Sequence, residues 1–460
     1  MIKYATVSVF VVIALACTQH NPAVCEGDGD CTDPARPFCD IDGQYPESSY
    51  SPNACSPTPA DCPVERCGCT PGETLVCTAG KATVCGADGK STDEENCALG
   101  CSATETRCAA FSPSNGLEGA LEEAASGMDF VIPDGSRIDT DLGLVSDAGG
   151  VKIDVKTKLV TQDAGQPSIL ALEGRSFVIG NVTVSGSNAV AFVAPRAITV
   201  RGTLDAAARQ AQSGPGAQGA GAVCTGKSTL YQSCGGVPPL ILYEASGASG
   251  GGNATPGGPG GARNATVSPG ALVPTFVPLL GGCGGGGVND ETTTALLARG
   301  GGGGGAVQLV SLLSVDITGT IVLSGGGGAA NMMGAGGGGS GGMLIVEAPS
   351  ISLRGPGGIA ASGGAAGGCN VAGSDGPVNG DPAVNASCGG AGHGGNAVQP
   401  PTAGYSCFNN GNSVCACGGA YNGGGGAAGR AHFATPDGGF VTTDSPLIGA
   451  SVTTASLVIH

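Results

Sequence analysis

Apolar residues recur along the middle of the chain in blocks whose internal spacing repeats. Val190–Ala207 reads VAFVAPRAITVRGTLDAA, Val307–Gly325 reads VQLVSLLSVDITGTIVLSG, and Met343–Gly363 reads MLIVEAPSISLRGPGGIAASG. Aligned, Val190, Val307 and Met343 coincide, then Phe192, Leu309 and Ile345, then Ile198, Val315 and Ile351, then Val200, Ile317 and Leu353. A glycine follows in each, at Gly202, Gly319 and Gly355, and after it Leu204, Ile321 or Ile359. A fainter copy sets Ile169, Phe177 and Ile179 each 21 positions before Val190, Ile198 and Val200, with Asn181 in the glycine place.

Apolar residues at alternate positions make each block two or three short strands with one buried face. Glycine and asparagine share a tolerance of positive φ, so their common position reads as a left-handed corner. One block has nothing to bury its face against, whereas stacked blocks lay like residues over like. The expected fold is therefore mainly β: a right-handed parallel β-helix, or solenoid, over residues 129–460. The pattern resembles the coils of pectin-lyase-like proteins. Between 109 and 128, the leucines and alanines of Ser112–Ala125 predict a short helix capping the first coil. Strands are expected at Asp129–Ile132, Arg137–Asp141 and Val151–Thr161, a last coil at Gly429–Phe433 and Gly438–Val441, and a terminal strand over Leu447–His460.

Glycine-rich insertions at 209–305, 326–342 and 364–429 interrupt the blocks. Glycine makes up 88 of 460 residues, charged residues are 12%, and tryptophan is absent; an ordinary soluble domain has about 7% glycine and 25% charge. Packing by small residues fits this better than a core with bulky anchors. Glycine runs of this density ordinarily mean disorder, but these carry cysteines. Two readings stand: loops tied down by disulfides, or extended polyglycine helices akin to polyproline II, packed side by side as in the rigid adhesive tips of some bacteriophage proteins.

The N-terminus is an export signal. Lys3 gives a positive start, and Tyr4–Ala16 is an uncharged run too short to span a bilayer. Ala14-Leu15-Ala16 suits ordinary signal peptidase; followed by Cys17, the same residues resemble a bacterial lipobox, in which that cysteine takes the lipid. Of the 21 cysteines, removing Cys17 leaves twelve from Cys25 to Cys108 and eight from Cys224 to Cys417, both even, as a disulfide framework requires. This favours residues 1–17 as a lipoprotein signal and an oxidising compartment for the rest.

Residues 18–108 form a small disulfide-rich domain, in two modules if it divides: 25–62 with Cys25, Cys31, Cys39, Cys55 and Cys62, and 67–108 with Cys67, Cys69, Cys77, Cys85, Cys97, Cys101 and Cys108. Without histidine in the segment, disulfides fit better than zinc. Asp28, Asp30 and Asp33 are candidate calcium ligands lacking the EF-hand order, and a solvated turn explains them equally. Further along, Cys224, Cys234, Cys283, Cys369, Cys388, Cys407, Cys415 and Cys417 are the expected disulfide cysteines of the insertions. The DPARPFCDIDG and GGGGGGAVQLVS runs, joined behind such a signal, resemble cysteine-rich, glycine-rich cell-surface lipoproteins of myxobacteria. That likeness implies outer-membrane or cell-surface location and architecture, and carries no chemistry with it.

A formal charge of −17 offers no basic stripe for nucleic acid. Gly221–Ser228, GAVCTGKS, matches the P-loop pattern, but no strand leads into it and no helix follows, so no nucleotide is expected, and no cofactor. Strand-borne acids are Asp139, Asp141, Asp154, Asp205, Asp316 and Glu347. Glycosidase chemistry needs two carboxylates about 5–9 Å apart, and only Asp139 and Asp141 share a strand face. Arg201 and Arg354, the basic residues a lyase would want, have no acidic neighbour in register. His20, His393, His432 and His460 are scattered. The expected function is non-enzymatic: a lipid-anchored bacterial surface protein with a structural or adhesive role, its loops binding glycan or a cell-surface partner. The alternative is a polysaccharide-active lyase or hydrolase on a β-helix.

Overall fold

Alternation of apolar and small polar residues over three to six positions, broken by glycine, drives much of the chain into short strands. A computed structural model describes residues 107–460 except 126, 220–221, 235–241, 245–246, 262–265, 291–292, 332–333, 369, 386–390, 405–421, 445 and 460; before 107 it describes 38–40, 54–56, 74–86, 92–97 and 99–102. The protein is mainly β, with parallel sheets and a disulfide-rich N-terminal region. Two compact units divide it, Met1–Glu95 and Asn96–His460.

In the first unit, Phe38–Asp40 pairs antiparallel with Ala54–Ser56, which sets Cys39 opposite Cys55. Thr74–Thr78 and Lys81–Cys85 form a hairpin whose turn, Ala79-Gly80, has positive φ at both residues, matching the twist of the strands.

Three large sheets dominate the described residues of the second unit, beside smaller ones in the insertions, and the chain visits the three in rotation. The first sheet runs β4 (Lys156–Val160), β5 (Ile169–Glu173), β8 (Ala189–Ala194), β11 (Ala306–Ser311), β14 (Met343–Glu347), β17 (Arg430–Thr435) and β20 (Ser451–Ser456). The second runs β1 (Asp129–Ile132), β6 (Ser176–Ile179), β9 (Ile198–Val200), β12 (Val315–Ile317), β15 (Ile351–Arg354) and β18 (Val441–Thr443). The third runs β3 (Leu144–Ser146), β2 (Ser136–Asp139), β7 (Val182–Ser185), β10 (Thr203–Asp205), β13 (Thr320–Val322), β16 (Gly358–Ala360) and β19 (Leu447–Ile448). Neighbours are parallel except β4 on β5 and β3 on β2. The expected terminal strand over Leu447–His460 is thus two strands in different sheets, with Gly449-Ala450 between them.

Registers in the second and third sheets follow the sequence alignment: Phe177, Ile198, Val315 and Ile351 stack, as do Ile179, Val200, Ile317 and Leu353, and Leu204, Ile321 and Ile359. In the first sheet the alignment is off by one at two places. Val190 pairs with Leu170, not Ile169, and Val307 with Leu344, not Met343. These strands are buried on both faces, so apolar residues run without a break and alternation loses its phase. Leu170, Leu172, Val190, Phe192, Val307, Leu309, Leu344 and Val346 face the core shared by the three sheets. Ile169, Ala171, Val193, Val310 and Ile345 face outward onto a second core.

Helix α1 (Glu118–Ala124) covers that second core. Leu117, Ala120, Leu121 and Ala124 are buried, the i, i+3, i+4, i+7 stripe of an amphipathic helix. It lies over the outward face of β5 and β8, whereas the sequence suggested a plug for the open end of a coil. At that end the edges belong instead to antiparallel β4 and β3 and to β1.

The corner between the second and third sheets also differs from expectation. Gly355 has positive φ, but it is an extra residue: Thr320 pairs with Gly358, which puts Gly357 in the place of Gly319. Likewise Val182 pairs with Leu204, so Gly180, not Asn181, corresponds to Gly202. None of Gly180, Gly202, Gly319 and Gly357 has positive φ. Glycine is needed there because a Cβ would strike the backbone of the round below at Gly202, Gly319 and Gly357, and Asp134 at Gly180. Asn181 serves through its side chain, whose Oδ1 accepts the Thr203 N–H at 2.9 Å.

Candidate functional site

All three insertions leave the end of a third-sheet strand and return to a first-sheet strand, so they issue from one corner. Their glycine runs meet in a single ordered array. Its centre is the segment 336–342, GGGGSGG, whose N–H groups aim in three directions with a period of three. Gly336, Gly339 and Gly342 donate to Ala329, Gly326 and Leu323; Gly337 and Ser340 to Gly286 and Cys283; Gly338 and Gly341 to Gly424 and Ala427. The carbonyls from Ala335 to Ser340 accept with the same period, Gly337 and Ser340 from Gly301 and Gly304, Ala335 and Gly338 from Ala248 and Gly251, and Gly336 and Gly339 from Gly367 and Gly364.

Three residues per turn with no bond inside the segment is the geometry of a polyproline-II-type helix. Six neighbours, three reached by donation and three by acceptance, make a hexagonal packing. It satisfies backbone groups that a buried irregular loop would leave unpaired. None of these glycines has positive φ; what the array demands is the missing side chain. A Cβ at Gly337, Gly338, Gly339, Gly341 or Gly342 would collide with a carbonyl oxygen of an adjacent segment. Ser340 is accommodated because its Oγ accepts the Cys283 N–H at 2.8 Å. Of the two readings of the glycine runs, packed polyglycine helices is the one observed, with the Cys224–Cys283 disulfide buried inside them.

Residues at the rim of the array carry exposed apolar side chains: Leu272, Val277, Val371, Val378, Val384 and Val398. Beneath it, Arg430 is clamped. Its guanidinium lies 3.8 Å over the Phe276 ring and donates to the carbonyls of Val273, Thr275 and Pro274. His432 stacks on the same ring, and burial with the nearby Arg430 charge lowers its pKa. Sequence reading missed this cluster, since nothing in the pattern joins Phe276 to residues more than 150 positions away.

At the corner between the second and third sheets the side-chain-free column opens a groove of about 410 Å³, lined by Asp134, Asn181, Arg201, Thr203, Thr318 and Thr320 among others. It is shallow and polar, with hydroxyl, guanidinium and carboxylate groups suited to sugar hydroxyls. Asp134 is the one carboxylate in its lining, and its Oδ1 accepts the Asn181 N–H at 2.7 Å.

The strand-borne acids are held in separate local networks. Asp139 accepts the N–H groups of Asp141 and Leu142, and Asp141 accepts the hydroxyl and then the N–H of Ser187, which lower its pKa. Asp154 pairs with Lys152, Asp205 with Arg209, and Asp316 with both Ser352 and Arg354. Arg354 has no acid in register, but Asp316 lies diagonally from it, two residues out of register, and pairs with it. Glu347 is buried, accepting from the Ser114 N–H and the Gln308 amide, and burial raises its pKa.

Cys97–Cys108 and Cys224–Cys283 are disulfides, and Cys77, Cys85 and Cys101 are disulfide-bonded as well. Cys234 lies in a strand, Thr229–Cys234, which occupies the place where a P-loop would need a helix. Cys17, Cys25, Cys31, Cys62, Cys67, Cys69, Cys369, Cys388, Cys407, Cys415 and Cys417 lie outside the described residues, as do Asp28, Asp30, Asp33, His20 and His460. No known protein family, curated protein or solved structure matches the chain.

Proposed function

We propose that this is an exported bacterial surface protein, anchored by lipid on Cys17, with a structural or adhesive role. Its stacked rounds form a right-handed parallel β-helix, and the helix serves as a mast for the polyglycine array. The observation that carries this reading is the array itself: three insertions drawn from one corner and locked by backbone hydrogen bonds in every direction. Such a body holds its rim rigid, and a rim ordered before contact loses little conformational entropy on binding. The exposed valines and leucine there supply apolar contact to a glycan or a cell-surface partner.

Cell-surface adhesion by the full chain tests it. Val378→Asp with Val398→Asp, both at exposed positions, should abolish attachment to cells or immobilised polysaccharide while the melting temperature stays unchanged. Full attachment by that variant refutes a rim-mediated role. The corner groove favours a second reading, polysaccharide cleavage, because Asp134 and Arg201 face one polar space. Release of reducing or unsaturated ends, lost in Asp134→Asn, would establish it.

A further inference from the structure

We infer that the β18–β19–β20 end of the β-helix is a self-association surface, on which a second copy of this chain docks end to end. The inference rests on the β-helix reading above. Among the described residues β20, β18 and β19 are the last strands of their three sheets. Ser451 and Leu457 donate their N–H groups to Gly429 and Thr435 on β17, so the alternate set, Val452, Thr454 and Ser456, aims away from the sheet. After β20 the chain turns back along the outward face, where Ile459 bridges Phe111, so this edge is left uncovered by the described residues.

The two ends of the body are treated differently. At the β4 edge, Lys156 and Lys158 stand on the strand and pair with Glu123, the charged edge that natural sheets use against strand addition. The strands at the other end read SVTTAS, VTT and LI, with no charge among them. Behind them the core ends in Phe440 and Ile448, which are only partly buried. An unpaired, neutral, β-branched edge over an incompletely covered core is a template for another strand.

Geometry selects the occupant. A single extended peptide satisfies one edge, whereas three edges around one end are matched together only by another three-sided end. The β4 end is antiparallel and charged, so the fit is to the same end of a second copy, about a two-fold axis. That axis crosses the middle of β20 and reverses every strand. β20 then meets β20 antiparallel about Thr454, with Thr454 opposite Thr454 of the second copy, Val452 opposite Ser456 and Thr453 opposite Ala455, while β18 meets β19. Threonine pairs across antiparallel strands are favourable. The end layer, about twenty residues, is the size of one side of a standard interface. Asp444, exposed at the corner after β18, falls near its own copy, so association should tighten as salt rises.

Sedimentation velocity on the full chain in mild detergent, over a concentration series, tests this. The expected result is a monomer–dimer equilibrium that strengthens with salt. Thr453→Lys should reduce it to monomer with an unchanged circular dichroism spectrum, and Asp444→Asn should strengthen it. A monomeric wild type, a dimer that survives Thr453→Lys, or open-ended polymers would each overturn the inference. Ile351→Ala separates this failure from failure of the β-helix: if it destabilises strongly while the wild type is monomeric, the stacked interior stands and only the docking falls.

Discussion

Gly284 and Gly285 are adjacent in one segment of the polyglycine array, yet the array predicts opposite responses to alanine. At Gly284 a Cβ would rest 3.4 Å from the Gly301 oxygen, an ordinary contact. At Gly285 it would drive into the Gly337 carbonyl, the group that accepts the Gly301 N–H at 2.9 Å; Gly285 itself donates to the Gly301 oxygen at 2.9 Å. Relief needs a shift of about 1 Å between segments that are each held by other neighbours. Overpacking of this kind costs about 1–3 kcal/mol, and two strained backbone hydrogen bonds add about 0.5–1.5 kcal/mol each. Gly285→Ala should therefore destabilise by about 2–6 kcal/mol. Gly284→Ala should be neutral or gain up to about 1 kcal/mol through the unfolded chain. Calorimetry of both variants reads this directly: at roughly 2 °C per kcal/mol for a body of this size, the first should melt about 4–12 °C lower and the second should match the wild type. Two small, equal shifts would mean the glycine runs are not packed against one another, and the array would have to be given up.

Ile198→Ala and Ile351→Ala, at fully buried ladder positions, should each cost about 2–5 kcal/mol in a denaturant titration. Thr199→Ala, on the outward face beside Ile198, should stay within about 0.5 kcal/mol. In acid, Glu123 and Asp129 should contribute to unfolding. Lys156 and Lys158 lower the first from 4.5 to about 2, and Arg175 lowers the second from 3.8 to about 2. Folded values below unfolded ones mean stability that is complete above about pH 4.5 and lost as pH falls toward 2. Arg175→Gln should shrink that loss, and salt should too. Glu347 has the opposite sign, because its raised pKa favours the neutral form: its contribution is full in acid and fades as pH rises, so Glu347→Gln should flatten the neutral limb of the profile. Finally, the chain should partition into detergent and incorporate palmitate, and Cys17→Ser should abolish both; an unlipidated mature N-terminus at Cys17 sinks the anchor.

Alternation by itself located the middle strands of the second and third sheets and their register in the three clearest blocks, because those strands are apolar on one face only and the pattern has a phase. It failed in the first sheet for the converse reason. Leu170 and Ile169 are both buried, on opposite faces, and only the helix and loops brought in from elsewhere decide which of them faces the inner core. The corner glycines were visible as residues but misread in role: positive φ is a local property and can be guessed, whereas close approach to the round below depends on register, which put Gly180 and Gly357 where Asn181 and Gly355 had been expected. For the glycine runs, composition allowed both disorder and packing. What decided between them was the direction of successive N–H and C=O groups toward six different segments, most of them distant in the chain. A run of identical residues carries no address for its partners, so that arrangement exists only in three dimensions.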